Sequence, residues 1–395
     1  MHPNSFTFME SLQKIIIKYL YVLRCAFIDT LYWLLMSVSK KNHKNRIKVI
    51  NKIPSFQPAA PRNLELIQED LKIYFHKKLS FDSKHIYYLK NSFITYNGVI
   101  FKNFRLFIPS LHHPKWNVEV INALRTNILS FLMQQWLGRI VKIDNDENRP
   151  IAVIHDYWSS GNYYHWICDS LPRILLLKKH NVSCTILLRS AAPVYVRQTI
   201  SWLGYDDFIE VDKDFIYKIR SIVVPEVTAS IGAQNDDLMK QVRAALLEGY
   251  NNLSENSNEL ISRQRRIYST RASAVIRKVS NESKVIKLLE KYGFLVVDFE
   301  HYSFLEQIEI MSKSDFLIGM HGANLTNMLF MENESVIIEF MNEKVFNPSY
   351  YHLSSSINMK YNYLSCAPTN KIPNDSNDDL YIDLDALEEL VIRNI

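Results

Sequence analysis

At 395 residues, with 47% hydrophobic and 22% charged side chains, the chain has the balance of an ordered globular protein and the length for roughly two domains. A net charge of +5 with no dense basic face gives nucleic-acid binding no footing. Four scattered cysteines (Cys25, Cys168, Cys184, Cys366) without a CxxC pair speak against a disulfide framework or a zinc site and for buried thiols in a reducing compartment.

The first apolar stretch, residues 15–36, is interrupted by Lys18, Arg24 and Asp29. At ~100° per residue, Lys14, Lys18, Arg24, Cys25 and Asp29 fall on one side of a helix and the aromatic and aliphatic residues on the other. Such a helix suits a membrane interface better than a crossing, and Lys40, Lys41, Lys44, Arg46 and Lys48 behind it favour an anionic leaflet. A helix packed on the protein's own core fits the same pattern. Residues 13–48 are thus the expected place of any peripheral membrane contact. The matching location is the cytoplasmic face of a membrane; a Golgi or ER type II arrangement is the alternative.

Residues 50–150 give short mixed strands and one helix over 118–136. From Ile151 the rhythm clears. Strand-like runs at 151–154, 185–188 and 222–224 alternate with helical patterns at 163–180, 194–203 and 236–250. A polar stretch at 251–258 follows. Strands at 266–270, 294–299, 316–319 and 336–340 then alternate with helices at 282–292, 303–312 and 323–331. Strands separated by helices of this length indicate parallel βαβ units. The expectation is an α/β protein of two doubly wound, Rossmann-like domains facing a cleft. The divisions are 1–50 for the N-terminal amphipathic helix and basic segment, 51–255 for the first domain, 256–370 for the second, and 371–395 for an acidic segment with a terminal helix.

Chemistry concentrates at strand ends. The turn Gly319-Met320-His321-Gly322-Ala323 links a buried strand to a helix whose first turn holds Asn324 and Thr326, with Asn327 next. A helix N-terminus beyond a strand's carboxyl end offers free N–H groups and a partial positive charge to an anion. Arg271, ending the strand before it, adds a guanidinium suited to bidentate phosphate contacts. Glu339, ending the strand after it, places a carboxylate where it can accept from ribose or sugar hydroxyls. A satisfied His in a tight turn, a surface ion pair for Arg271 and a core-edge acid for Glu339 are the plainer readings. In the first block, His165 and Asp169 stand four apart at the start of a helix, a pair able to take a proton from an acceptor hydroxyl. A satisfied His–Asp pair on an ordinary helix is the alternative, and Pro172 would interrupt or kink that helix.

The series Asn162-x-x-His165-Trp166-x-x-Asp169-x-x-Pro172-Arg173, Tyr268-Ser269-Thr270-Arg271, Asn281-Glu282, Gly293-Phe294, Glu306-Gln307, Gly319-x-His321-Gly322-Ala323-Asn324-Leu325-Thr326-Asn327 and Val336-Ile337-Ile338-Glu339 resembles glycosyltransferase family 61. The resemblance runs over roughly 151–365. It implies a GT-B-like architecture, an inverting mechanism without metal or cofactor, a nucleotide-sugar donor (UDP-linked) and a glycan acceptor. It puts the donor against Arg271, His321, Gly322, Ala323, Asn324, Thr326, Asn327 and Glu339, and the acceptor against His165 and Asp169. Asn324 stands where the family often has Gly, and residues 1–150 match nothing in it. Asp144-Asn145-Asp146 has the Asp-x-Asp form of metal-dependent transferases but reads as a solvated loop. A non-catalytic glycan- or nucleotide-binding protein of the same fold, and a UDP-sugar epimerase, are the other readings of this pattern.

Overall fold

The computed structural model describes residues 47–49, 53–102, 105–111, 118–159, 161–229, 232–253, 265–369 and 377–395. The amphipathic helix expected over 15–36, most of the basic segment and most of the linker near 251–262 lie outside the described residues. No described helix is long and apolar enough to cross a membrane.

Two sheets organise the α/β chain. The first contains β1 (Ile47–Val49), β2 (His85–Ile94), β3 (Ile100–Lys102), β4 (Arg105–Leu106), β5 (Ile140–Ile143), β6 (Ile151–Ala152), β7 (Thr185–Arg189), β8 (Phe208–Val211) and β9 (Ile216–Pro225). Its order is β4-β3-β2-β9-β6-β7-β8, with β1 on β2 and β5 on β9. Strand β9 divides it. One edge of β9 pairs antiparallel with β2; the other takes β5 and β6 in parallel at successive positions. Only the β9-β6-β7-β8 side is therefore wound like a Rossmann sheet, and the mixed strands of residues 50–150 form an antiparallel wing. The second sheet contains β10 (Arg265–Ser269), β11 (Phe294–Val297), β12 (Ser314–Met320), β13 (Val336–Asn342), β14 (Lys360–Pro368) and β15 (Leu380–Tyr381), in the order β11-β10-β12-β13-β14-β15. All its pairs are parallel except β14 with β15. From β10 the chain moves outward to β11 and then returns to β12 on the other side. That reversal opens a crevice beyond the carboxyl ends of β10 and β12, where doubly wound sheets take their ligands.

The helices used below are α1 (Glu69–Phe75), α2 (Val118–Trp136), α3 (Leu171–Lys179), α4 (Val194–Trp202), α5 (Asp236–Leu253), α6 (Glu282–Lys291), α7 (Phe304–Ser312), α8 (Ser349–Ser356) and α9 (Leu384–Asn394). Their amphipathic faces close over the sheets, as the alternation of strands and helices requires. One apolar cluster runs through both units, joining Ile154, Leu176, Ile186 and Leu246 to Ile267, Leu317, Met328 and Tyr351. The segment after residue 53 also crosses over. Arg62 donates its amide to the Tyr361 carbonyl at 2.8 Å, and Asn63 exchanges two bonds with the Tyr363 backbone, covering an edge of β14 that would otherwise stand open.

Candidate active site

The first His–carboxylate pair is built by an irregular helix. Asn162 accepts the His165 amide and starts a helical turn over Tyr163–His165. The chain then winds as a π-helix over Trp166–Ser170 before α3 begins. Pro172 sits in the first turn of α3, where its missing N–H is no loss, so it starts the α-helix rather than kinking it. Expected as one helix over 163–180, the segment is three, and π-turns of this kind recur at functional sites. It brings His165 Nδ1 to 2.6 Å from Asp169 Oδ2, with the two side chains 14% and 8% exposed. Burial alone would lower the imidazole pKa, but the hydrogen bond and charge of Asp169, helped by Asp156, outweigh it and leave His165 above its ordinary value. Arg173 holds this segment against the sheet. Its buried guanidinium donates to the carbonyls of Pro225 (2.8 Å), Ile154 (2.7 Å) and Val153 (3.1 Å), at the ends of β9 and β6. Burial pulls its pKa down to about 10, against the opposing charges of Asp156, Asp169 and Glu226.

The second pair is assembled by strand register. Gly319 pairs with Glu339 across β12 and β13, so His321, just past the end of β12, lies within reach of that carboxylate. Nδ1 of His321 is 2.5 Å from Glu339 Oε1, and the Tyr361 hydroxyl donates to Oε2 at 2.6 Å. Glu339 is fully buried. Each of its oxygens thus has a partner within the protein. Gly322 has a different task from the one expected. Its backbone is extended, which any residue adopts, but an added Cβ would lie 2.3 Å from Arg271 Nη1. The glycine makes room for the guanidinium, which donates through Nε to the Arg277 carbonyl at 2.9 Å and so folds the 271–277 loop around itself. The helix after it is a 3-10 helix over Ala323–Phe330, not an α-helix. Its first bond runs from Leu325 to Gly322, so the amides of Ala323 and Asn324 have no partner within the helix.

Tyrosines connect the two pairs. His165 packs edge-on against Tyr164 (ring centroids 5.2 Å), Tyr164 against Tyr350 (5.2 Å), and Tyr350 against His321 (5.0 Å). Burial drives the Tyr164 and Tyr350 hydroxyl pKa values well up, so both rings remain neutral spacers. Around the crevice the fold thus gathers His165, Asp169, Arg271, His321 and Gly322, with Ala323 and Asn324 half-buried beside them. Thr326 and Asn327 have no exposed surface. Asn327 accepts from the Tyr163 hydroxyl and donates to Gln307, both at 2.9 Å, tying the two units together where donor contact was expected. Asp144 pairs with Arg220 and Asp146 caps its own loop, and no group of three or more metal-ligating side chains occurs among the described residues.

A family model described as Glycosyltransferase 61 matches residues 163–338. Over these residues the chain is similar to glycosyltransferase family 61. Similar curated proteins are EGF domain-specific O-linked N-acetylglucosamine transferases. The mouse protein is 26% identical over 213 residues, covering 46% of this chain and 38% of that protein. The rat protein is 28% identical over the same span, with the same coverage. The Drosophila melanogaster protein is 42% identical over 69 residues, 17% of this chain and 13% of its own. The chain therefore spans well under half the length of these relatives.

The family 61 match takes in the first pair, Arg271 and the His321 turn, and stops one residue short of Glu339. Tyr350 and Tyr361, which complete the second pair, lie beyond it. Nothing in the sequence marked them, because aromatic residues are abundant and their value here comes from α8 and β14 packing back over the crevice. Arg243 on α5 was missed too. It donates through Nε to the Leu329 carbonyl at 2.8 Å and also bonds the Met331 carbonyl and Asn333, capping the end of the 3-10 helix opposite the Gly319–Ala323 turn.

Proposed function

We propose that the chain is an inverting glycosyltransferase that moves a sugar from a nucleotide-sugar donor, UDP-linked, to a hydroxyl of a glycan acceptor. The observation that carries this reading is the juxtaposition of two His–carboxylate pairs, one on each unit, across a crevice in a chain similar to family 61. Donor and acceptor occupy the two sides of a GT-B-like cleft. Arg271, the His321 ring and the first amides of the 3-10 helix face the diphosphate. The acceptor oxygen attacks the anomeric carbon, the bond from that carbon to the diphosphate breaks, and the departing oxygens take the electron pair. Arg271 and the helix start stabilise that developing charge, electrostatic assistance of a kind that dominates many such sites.

The acceptor proton goes to His165, with Asp169 holding its Nδ1 face. His165 is favoured by being the more exposed member and by its raised pKa, which strengthens it as a base. The related transferases carry N-acetylglucosamine, by their names, to a protein acceptor, so UDP-N-acetylglucosamine is the first donor to test.

The purified full chain, incubated with UDP-, GDP- and CMP-linked sugars and a glycan panel, should release one nucleotide in step with one glycosylated product of inverted configuration. Full activity retained in both Asp169→Asn and Arg271→Ala would sink these residue roles. A product that is an isomer of the donor would replace transfer with epimerisation. We also propose peripheral membrane contact through residues 13–48. Cells expressing the chain without residues 1–50 should show it shifted to the soluble fraction, and an unchanged distribution would refute the contact.

A further inference from the structure

We infer that Arg189 forms an anion subsite on the acceptor side, so that the sugar accepting the transfer bears a negative charge, carboxylate or phosphate. This rests on the acceptor assignment above. Arg189 ends β7, and the β6–β7 register, Ile151 with Thr185 and Ala152 with Ile186, brings it level with His155, one short loop from His165. That loop folds over it: Arg189 Nη1 stands 4.0 Å from the Cβ position of Gly161. The Trp158 ring, on the same loop, is 5.6 Å from the His165 ring.

What distinguishes Arg189 is partial burial without a partner. Arg173 is held by three carbonyls, Arg149 by Asp207 at 2.6 Å and Arg197 by Glu210, and Arg139 is exposed. Half-buried Arg189 has no ion pair and no hydrogen bond among the described residues, and its Nε is buried and unpaired. It lies over the face of Tyr96 at 4.9 Å, a contact that steadies the cation without using its N–H donors. Asp156, on the same loop, accepts the amides of Trp158 and Ser159 at Oδ1. A guanidinium carries five donors in a fork that matches carboxylate and phosphate oxygens, and leaving it half-buried and unpaired is costly. Its position beyond the carboxyl end of a parallel strand is where an open α/β sheet receives ligand. Arg271 is committed to the opposite side of the crevice, so the molecule holds two separated cations for two separate anions.

The test uses the full chain saturated with UDP, which fills the donor side, and calorimetric titration with methyl β-glucuronide, glucose 6-phosphate and neutral methyl β-glucoside. At least one anionic probe should bind about tenfold tighter than the glucoside, the scale of one charge-assisted contact. Raising the salt should erase the preference. Arg189→Gln should remove it while UDP affinity stays unchanged, and Arg189→Lys should keep part of it. No preference in the wild type, or a preference that survives Arg189→Gln, overturns the subsite. If UDP fails to bind the wild type, the donor reading fails instead, and the same comparison without UDP still decides Arg189. Should Arg189→Gln fail to fold, the salt series and Arg189→Lys carry the decision. Between the anionic probes, the tighter one identifies carboxylate or phosphate.

Discussion

The two His–carboxylate pairs have nearly the same contact, 2.6 Å in one and 2.5 Å in the other, and quite different constructions. His165 and Asp169 belong to one stretch of chain, and both retain some exposure. His321 and Glu339 come from adjacent strands; the acid has no exposure and a second donor, Tyr361, fills its other oxygen. The first pair can exchange a proton with a ligand. In the second, the buried carboxylate fixes the ring in front of it. In the proposed function the same chemical motif serves proton transfer on one side and anion holding on the other, and the two can be separated by experiment.

The largest effect should come from the first pair. Asp169→Asn should lower kcat by roughly 10²–10⁴, the range for losing general-base catalysis, with UDP affinity unchanged in a direct titration. The pH profile sharpens this. His165 works as a base when neutral, so the rate rises with pH through its raised pKa. Removing the Asp169 charge removes the main factor that raises that pKa; burial then prevails, and the acid limb should move to lower pH. A limb that stays in place would remove His165 from the chemistry.

Next comes the donor grip. Arg271→Ala should weaken UDP binding roughly 10- to 100-fold, since charge-assisted bonds are each worth about 1.5–3 kcal/mol. Gly322→Ala should weaken it about tenfold, because the new Cβ displaces the guanidinium. The two should not add: in the Arg271→Ala background Gly322→Ala should have almost no further effect on UDP affinity. Additive losses would mean that Gly322 contacts the ligand itself.

The first pair was legible in the sequence because its spacing is a helical one, and the Gly319–Ala323 turn because scarce glycines flank a histidine after a buried strand. The second pair was only half legible. Both His321 and Glu339 stood out as strand-end residues, but nothing local says that β12 and β13 are neighbours in the register that joins them. The second partner of the buried Glu339 carboxylate, Tyr361, comes from a strand further on. The antiparallel wing of the first sheet was hidden for a related reason. Its strands find their partner in β9, far along the chain, so their residues carry no regular local period.

The smallest effect is the one that best separates the pairs, because the same carboxylate-to-amide change should have opposite consequences in them. In Asp169→Asn the amide N–H₂ can face Nδ1 and leave the ring proton on Nε2, which then cannot accept a proton; the base is lost to the wrong tautomer. In Glu339→Gln the same rearrangement also leaves Nε2 protonated, but there the ring is needed as a donor to phosphate, so the hydrogen bond survives and only the support of the carboxylate behind the ring goes. Replacing a bond to a carboxylate by one to a neutral amide costs about 1 kcal/mol. Glu339→Gln should therefore raise the donor KM about fivefold and leave kcat nearly intact. Its amide can still bond both His321 and the Tyr361 hydroxyl, so the melting temperature should change little. Glu339→Ala strands both of those partners in the core and should lower it clearly. If Glu339→Gln instead reduced kcat as strongly as Asp169→Asn, both histidines would be moving protons and the division of labour between the two sides would fail.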